Sequence, residues 1–147
     1  MKSIMLIFSV FVLFSFSAHS QSFKKLDKAN VDEKKVQLAK EFANEYLMKQ
    51  KTGSYYQFKD EAIDAIKDQL TPENQKIIYQ QLKEKFGDYK SLEYAETWVP
   101  NGNSGLKIFR FKGDFEKSNR KLEIRVVLNA NDKIAGFWIR PWSDMLN

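Results

Sequence analysis

Trp138, Arg140 and Trp142 alternate along the segment KIAGFWIRPW, Lys133 to Trp142, which holds two of the chain's three tryptophans. Residues two apart share one face of a strand, so this spacing offers two indoles and a guanidinium on a single surface. Indoles stack on sugar rings, and guanidinium groups pair with carboxylates or phosphates through their planar donors. Arg110 and Arg125 fall one per strand on the two extended segments before it. With Arg140 they either converge on an anionic ligand or pair across strands with Glu93, Glu96 or Glu123 and face water. The competing reading of the tryptophans is structural, with Trp138 in the core and Trp142 covering the sheet's edge. Tyr56, next to Tyr55 and just beyond Gly53, is a further ligand-binding candidate, as the rim of a pocket or as a half-buried loop aromatic.

Other chemistry is excluded by what the chain lacks. It has no cysteine, and its one histidine, His19, lies in a stretch with the layout of a signal peptide. Met1 and Lys2 precede an almost wholly apolar run from Ile4 to Phe16, and small residues follow at Ala18 and Ser20. The run is too short for a bilayer, which takes about 20 residues. Cleavage after Ser20 is expected, giving a secreted or periplasmic protein that begins at Gln21 and has no transmembrane span. Such a chain has neither imidazole nor thiol, which removes Ser-His-Asp and Cys-His catalysis and the usual ligands of zinc. NANDK, Asn129 to Lys133, is the nearest approach to a calcium loop and suits a hairpin turn better. No metal and no cofactor are implied. A carboxylate-tyrosine site has candidates in Asp60, Asp64, Asp88, Tyr56 and Tyr89, but no spacing selects among them, so no catalytic residue is assigned.

Without Lys2 the charge is 23 Lys and Arg against 19 Asp and Glu, interspersed rather than in runs. That pattern argues for solubility and against a nucleic-acid partner. With no disulfide available, the fold rests on its core.

The elements that must position these residues follow from periodicity. Residues 21–29 read as a flexible lysine-rich leader, and residues 30–147 as one domain. Asn30 caps a helix of about Val31 to Lys51, whose apolar face is Val36, Ala39, Phe42, Ala43, Tyr46 and Leu47. A second helix carries Ile63, Ile66 and Leu70. A third starts at Thr71 and Pro72, runs through Ile78, Leu82 and Phe86, and stops at Gly87. Beyond Gly87 the period becomes two. Leu92, Tyr94 and Trp98 share a face of the first strand, Phe109, Phe111 and Phe115 a face of the second, and Leu122, Ile124, Val126 and Leu128 a face of the third. Phe137 and Ile139 alternate with Trp138 and Arg140 in the fourth. Short connections make these a meander, so the expected fold is α+β, with N-terminal helices on one face of a four-stranded antiparallel sheet.

The order FANEYLMKQKTGSYYQF, LTPENQKIIYQQLKEKFGDYKSL, then strands ending in NDKIAGFWIRP resembles the bacterial family called domain of unknown function 3887, over roughly Val36 to Pro141. That family is related to the nuclear-transport-factor-2-like, cystatin-like group. The resemblance implies a curved, cone-like sheet around helices with a pocket or concave face, and, by analogy, a homodimer through the open sheet face. It supplies no catalytic residue.

Three readings of function follow: a non-catalytic exported domain for a small apolar or anionic ligand or a protein partner; an isomerase or hydrolase using carboxylate and tyrosine groups; or an envelope-surface binder of glycans or lipid head groups. The first is favoured, because no local feature of the sequence demands a shifted acid or base.

Overall fold

The computed structural model describes residues 22–146, so the expected signal peptide lies outside the described residues. Among the described residues no helix is long and apolar enough to cross a membrane.

Strand β1 (Phe23–Lys25) and a 3-10 turn precede helices α1 (Glu33–Lys51), α2 (Asp64–Gln69) and α3 (Pro72–Phe86). Four longer strands follow: β2 (Tyr89–Pro100), β3 (Lys107–Phe115), β4 (Leu122–Leu128) and β5 (Ile134–Pro141). The result is an α+β fold with one antiparallel sheet in the order β1-β2-β3-β4-β5.

Five strands replace the four expected, and the difference is the supposed flexible leader. Phe23, Lys24 and Lys25 pair with Pro100, Val99 and Trp98. The pairing is extended at both ends, where Leu26 donates to the Thr97 carbonyl at 2.9 Å and Asn101 to that of Ser22 at 2.8 Å. Three residues are too few for alternation to be readable, and all three are exposed.

Local chemistry accounts for the helices. Asp32, rather than Asn30, caps α1, accepting from the amides of Lys34 and Lys35. Thr71 caps α3 as expected, with Pro72 in the first turn. Gly87, at φ +75, takes the left-handed conformation that ends α3 and turns the chain into β2. Helix α1 buries Val36, Ala39, Phe42, Ala43, Tyr46 and Leu47 against Phe109, Phe111, Ile124, Val126 and Phe137 of the sheet's inner face. Each large apolar side chain so buried contributes roughly 1.5–3 kcal/mol, which is how a chain without disulfides holds its fold.

Three irregularities shift side-chain parity, the first between Tyr89 and Ser91 at the start of β2. The register of β2 slips again between Tyr94 and Glu96. Leu92 and Tyr94 face inward as expected, but Trp98 does not share their face: Thr97 turns inward opposite Phe109, and Glu96 and Trp98 point out. In β4–β5 the slip falls between Val127 and Leu128 and leaves Ile134 in the core. Ile134 is also fixed from the α2 side, where its amide donates to the Glu61 carbonyl at 2.7 Å and its carbonyl accepts from Ile63 at 3.0 Å.

Candidate functional site

The outer sheet face, away from the helices, collects five of the six residues singled out for binding. The β2 bulge brings Glu96 opposite Arg110 on β3, while Glu123 on β4 lies diagonal to Arg110 and opposite Arg140 on β5. Glu123 becomes the hub. It accepts from Arg110 Nε and Nη2, each at 3.0 Å, from Arg125 Nε at 2.6 Å and from Arg140 Nε at 3.1 Å. Arg110 also donates to Glu96 and to the Ser143 carbonyl. Glu96 in turn accepts from the Trp98 indole at 2.9 Å and pairs with Lys25.

This network is buried. The side chains of Arg110 and Glu123 are 0% exposed, whereas that of Arg140 is 29% exposed. The cover is aromatic. Trp142 lies over the Arg110 guanidinium, 4.3 Å from its ring centroid, with the Lys112 ammonium 4.8 Å from the same ring. The Trp138 ring lies 6.0 Å from the Arg125 guanidinium and packs against Gly136, where a Cβ would come within 2.3 Å of the indole. Gly136 thus leaves the space that the indole occupies.

The electrostatics are those of a locked array. Burial pushes the Glu123 carboxyl up, but the hydrogen bond from Arg110 and the charges of Arg125 and Arg140 outweigh it and hold it below the ordinary glutamate value. Glu96 is likewise held down, because bonds from Lys25, Trp98 and Arg110 outweigh its desolvation. Burial, aided by repulsion from Arg140 and Arg110, lowers Arg125 despite Glu123. Lys25, Arg110, Arg125 and Arg140 bring four positive charges to the two negative ones of Glu96 and Glu123. Lys112 faces Glu93 at the rim and Asp144 accepts from the Trp142 indole, so the face as a whole keeps a small positive excess.

The arginines pair with Glu96 and Glu123, two of the partners that one sequence reading named, with Arg110 buried and Arg140 29% exposed. Arg110, expected among the ligand contacts, is fully buried, with four of its five N–H groups donating to Glu123, Glu96 and the Ser143 carbonyl and Trp142 over it. Trp138, Arg140 and Trp142 retain partial exposure, and Arg125 is nearly covered.

Tyr56 is not part of this face. Its ring belongs to an aromatic cluster on the helix side, 5.2 Å from Phe42, 4.8 Å from Phe58 and 6.3 Å from Tyr46. Its hydroxyl donates to Glu61 Oε1 at 2.8 Å. Burial and Glu61 push the Tyr56 hydroxyl up. Glu61 ends below the ordinary value, because hydrogen bonds, including the one from Tyr56, outweigh its desolvation. These two groups are driven apart, away from a shared proton near neutral pH. Asp60, Asp64 and Asp88 do not join them in a catalytic cluster: Asp64 pairs with Lys67 and Asp88 with Lys83 on the surface. Among the described residues no group of three His, Cys, Asp or Glu is placed to hold a metal ion.

Two participants were not legible in advance. Alternation puts Trp98 on the face of Leu92 and Tyr94, and nothing in the sequence marks the bulge that moves it. Gln50 falls on the apolar stripe of α1, four residues beyond Tyr46, and is 2% exposed. A polar side chain at a core position of the helical period was the signal.

No protein-family model matches this chain, and no curated protein and no solved structure matches it either.

Proposed function

We propose that this protein is an exported, non-catalytic binding domain whose outer sheet face takes an anionic, ring-bearing ligand of the kind offered by acidic glycans. Export is supported by the pattern of residues 1–20, and the domain type by the resemblance to domain of unknown function 3887, including its curved sheet. One observation carries the binding surface: the partly exposed Trp138 indole packs against Gly136, with the Arg125 guanidinium 6.0 Å from its ring and the Arg125 and Arg140 guanidinium groups both anchored on Glu123. A partly exposed indole offers a stacking surface, and guanidinium groups already held in place lose little rotamer freedom on meeting a carboxylate. Binding rather than catalysis is favoured because the carboxylates at this face are held ionised by their arginines, whereas acid–base work calls for a group poised near the operating pH.

The test is native mass spectrometry of the secreted protein from its own host, followed by titration of tryptophan fluorescence with an oligogalacturonate and with its neutral methyl ester. A retained anion, and a saturable response to the acid but not the ester that is lost in Trp138→Ala, is expected. A clean unliganded protein with no response to either would overturn the reading, and mass corresponding to two copies of the chain would assign the face to a homodimer instead.

A further inference from the structure

Beside its charged network the outer face carries an apolar strip. Trp98 stands opposite Ile108, Ile108 opposite Val127 and Val127 opposite Gly136, so one row of residues crosses β2, β3, β4 and β5. Ile108 and Val127 are each 6% exposed, yet neither belongs to the core packed beneath the helices. Their cover comes from the outer face itself. At one end the Trp138 indole fills the space over Gly136, where a Cβ would also meet the Val127 Cβ at 3.1 Å. At the other end Trp98, the strand partner of Ile108, has its indole N–H fixed on Glu96 at 2.9 Å. Both indoles stay partly exposed.

The two ends repeat one arrangement, an indole beside a cation that is tied to a carboxylate. Near Trp138, Arg125 and Arg140 are held on Glu123. Beside Trp98, its strand partner Lys25 is held on Glu96, and the Lys25 side chain is 55% exposed. Three strand spacings separate the backbones of Trp98 and Gly136, a distance of about 14 Å. Resting on the acidic-glycan reading of the Trp138 surface, we infer that Trp98 and Lys25 form a second subsite of the same face, so that an acidic oligosaccharide lies across the strands with one ring at Trp138 and a later one at Trp98. A single sugar ring reaches one indole and a longer chain reaches both. The second contact is then intramolecular, and affinity rises with chain length although each unit carries the same chemistry.

Galacturonate and its oligomers from the dimer to the hexamer, titrated calorimetrically against the purified protein, test this. Affinity rises about tenfold or more once the chain is long enough to reach both indoles. In Trp98→Ala the rise is lost, and in Lys25→Gln it shrinks. Equal affinity per molecule at every length, or the wild-type rise kept in Trp98→Ala, overturns the second subsite while leaving the Trp138 surface in place. A lower melting temperature in Trp98→Ala with the length dependence intact does the same, because Trp98 then only covers Ile108. No binding at any length overturns the Trp138 surface and the second subsite together. If Trp98→Ala does not fold, Lys25→Gln decides: an undiminished rise in that variant removes the subsite.

Discussion

Arg110 and Glu123 face each other through two parallel hydrogen bonds of 3.0 Å, Nε to Oε1 and Nη2 to Oε2, on neighbouring strands and with neither side chain exposed. Fork-to-fork pairing of this kind combines charge with fixed geometry. Removing one member strands the other, and Glu123 has three arginines to strand. Glu123→Gln is therefore expected to destabilise the fold by about 3–5 kcal/mol in urea denaturation. Lys25→Ala, at the 55%-exposed end of the same network, should change stability by no more than about 1 kcal/mol.

Gly136 is a packing requirement. Gly136→Ala places a methyl group against the Trp138 indole and is expected to cost about 1–3 kcal/mol. In a Trp138→Ala background the penalty should largely vanish, so a double-mutant cycle on thermal unfolding shows coupling between the two positions. An additive cycle would mean that the indole does not lie on the glycine.

The two ends of the pH scale test the buried groups. Glu123 and Glu96 have folded values below the ordinary 4.5, so at acid pH the unfolded chain binds more protons than the native one. Their stabilisation is complete above that value and is lost as pH falls below it. Unfolding free energy followed from pH 6 to pH 2 should drop from about pH 4.5 downward, and less steeply in Glu123→Gln. Tyr46 and Tyr89 are raised above the ordinary 10.0 by burial, so here the native state holds protons longer. Stability is full below 10 and falls as pH rises beyond it.

Gln75 clamps the segment that carries Tyr56. Gln75→Leu leaves the Tyr56 amide and the carbonyls of Tyr56 and Leu70 without their side-chain partner. A loss of about 2–3 kcal/mol is expected, with faster hydrogen exchange of the Tyr56 amide as the local readout.

Periodicity made the helix and strand order readable, and Thr71, Pro72 and Gly87 marked the third helix because capping chemistry is local. The inner-face phenylalanines and the one-per-strand arginines were equally legible, since both depend only on alternation. What escaped depends on contacts remote in sequence. The slip after Tyr94 has no residue signature, yet it alone sends Glu96 to Arg110 and Trp98 to the outer face. Strand β1 has too few residues for a pattern and exists because the end of β2 offers it a ladder. The burial of the arginines depended on Trp142 turning back over Arg110, beyond the end of β5 where strand spacing stops being informative.

That last contact bears on the order of assembly. The acceptors of Arg110 come from 14 residues before it and from 13 and 33 residues after it. A chain delivered N-terminus first presents the guanidinium and Glu96 while β4, β5 and Ser143 are still to come. Until they arrive, the middle strand keeps a hydrated cation where the finished sheet has a dry one, and β2 with β3 remains a reversible hairpin. The closing residues act as a keystone set at the end of synthesis, which favours abrupt, late completion over piecemeal growth.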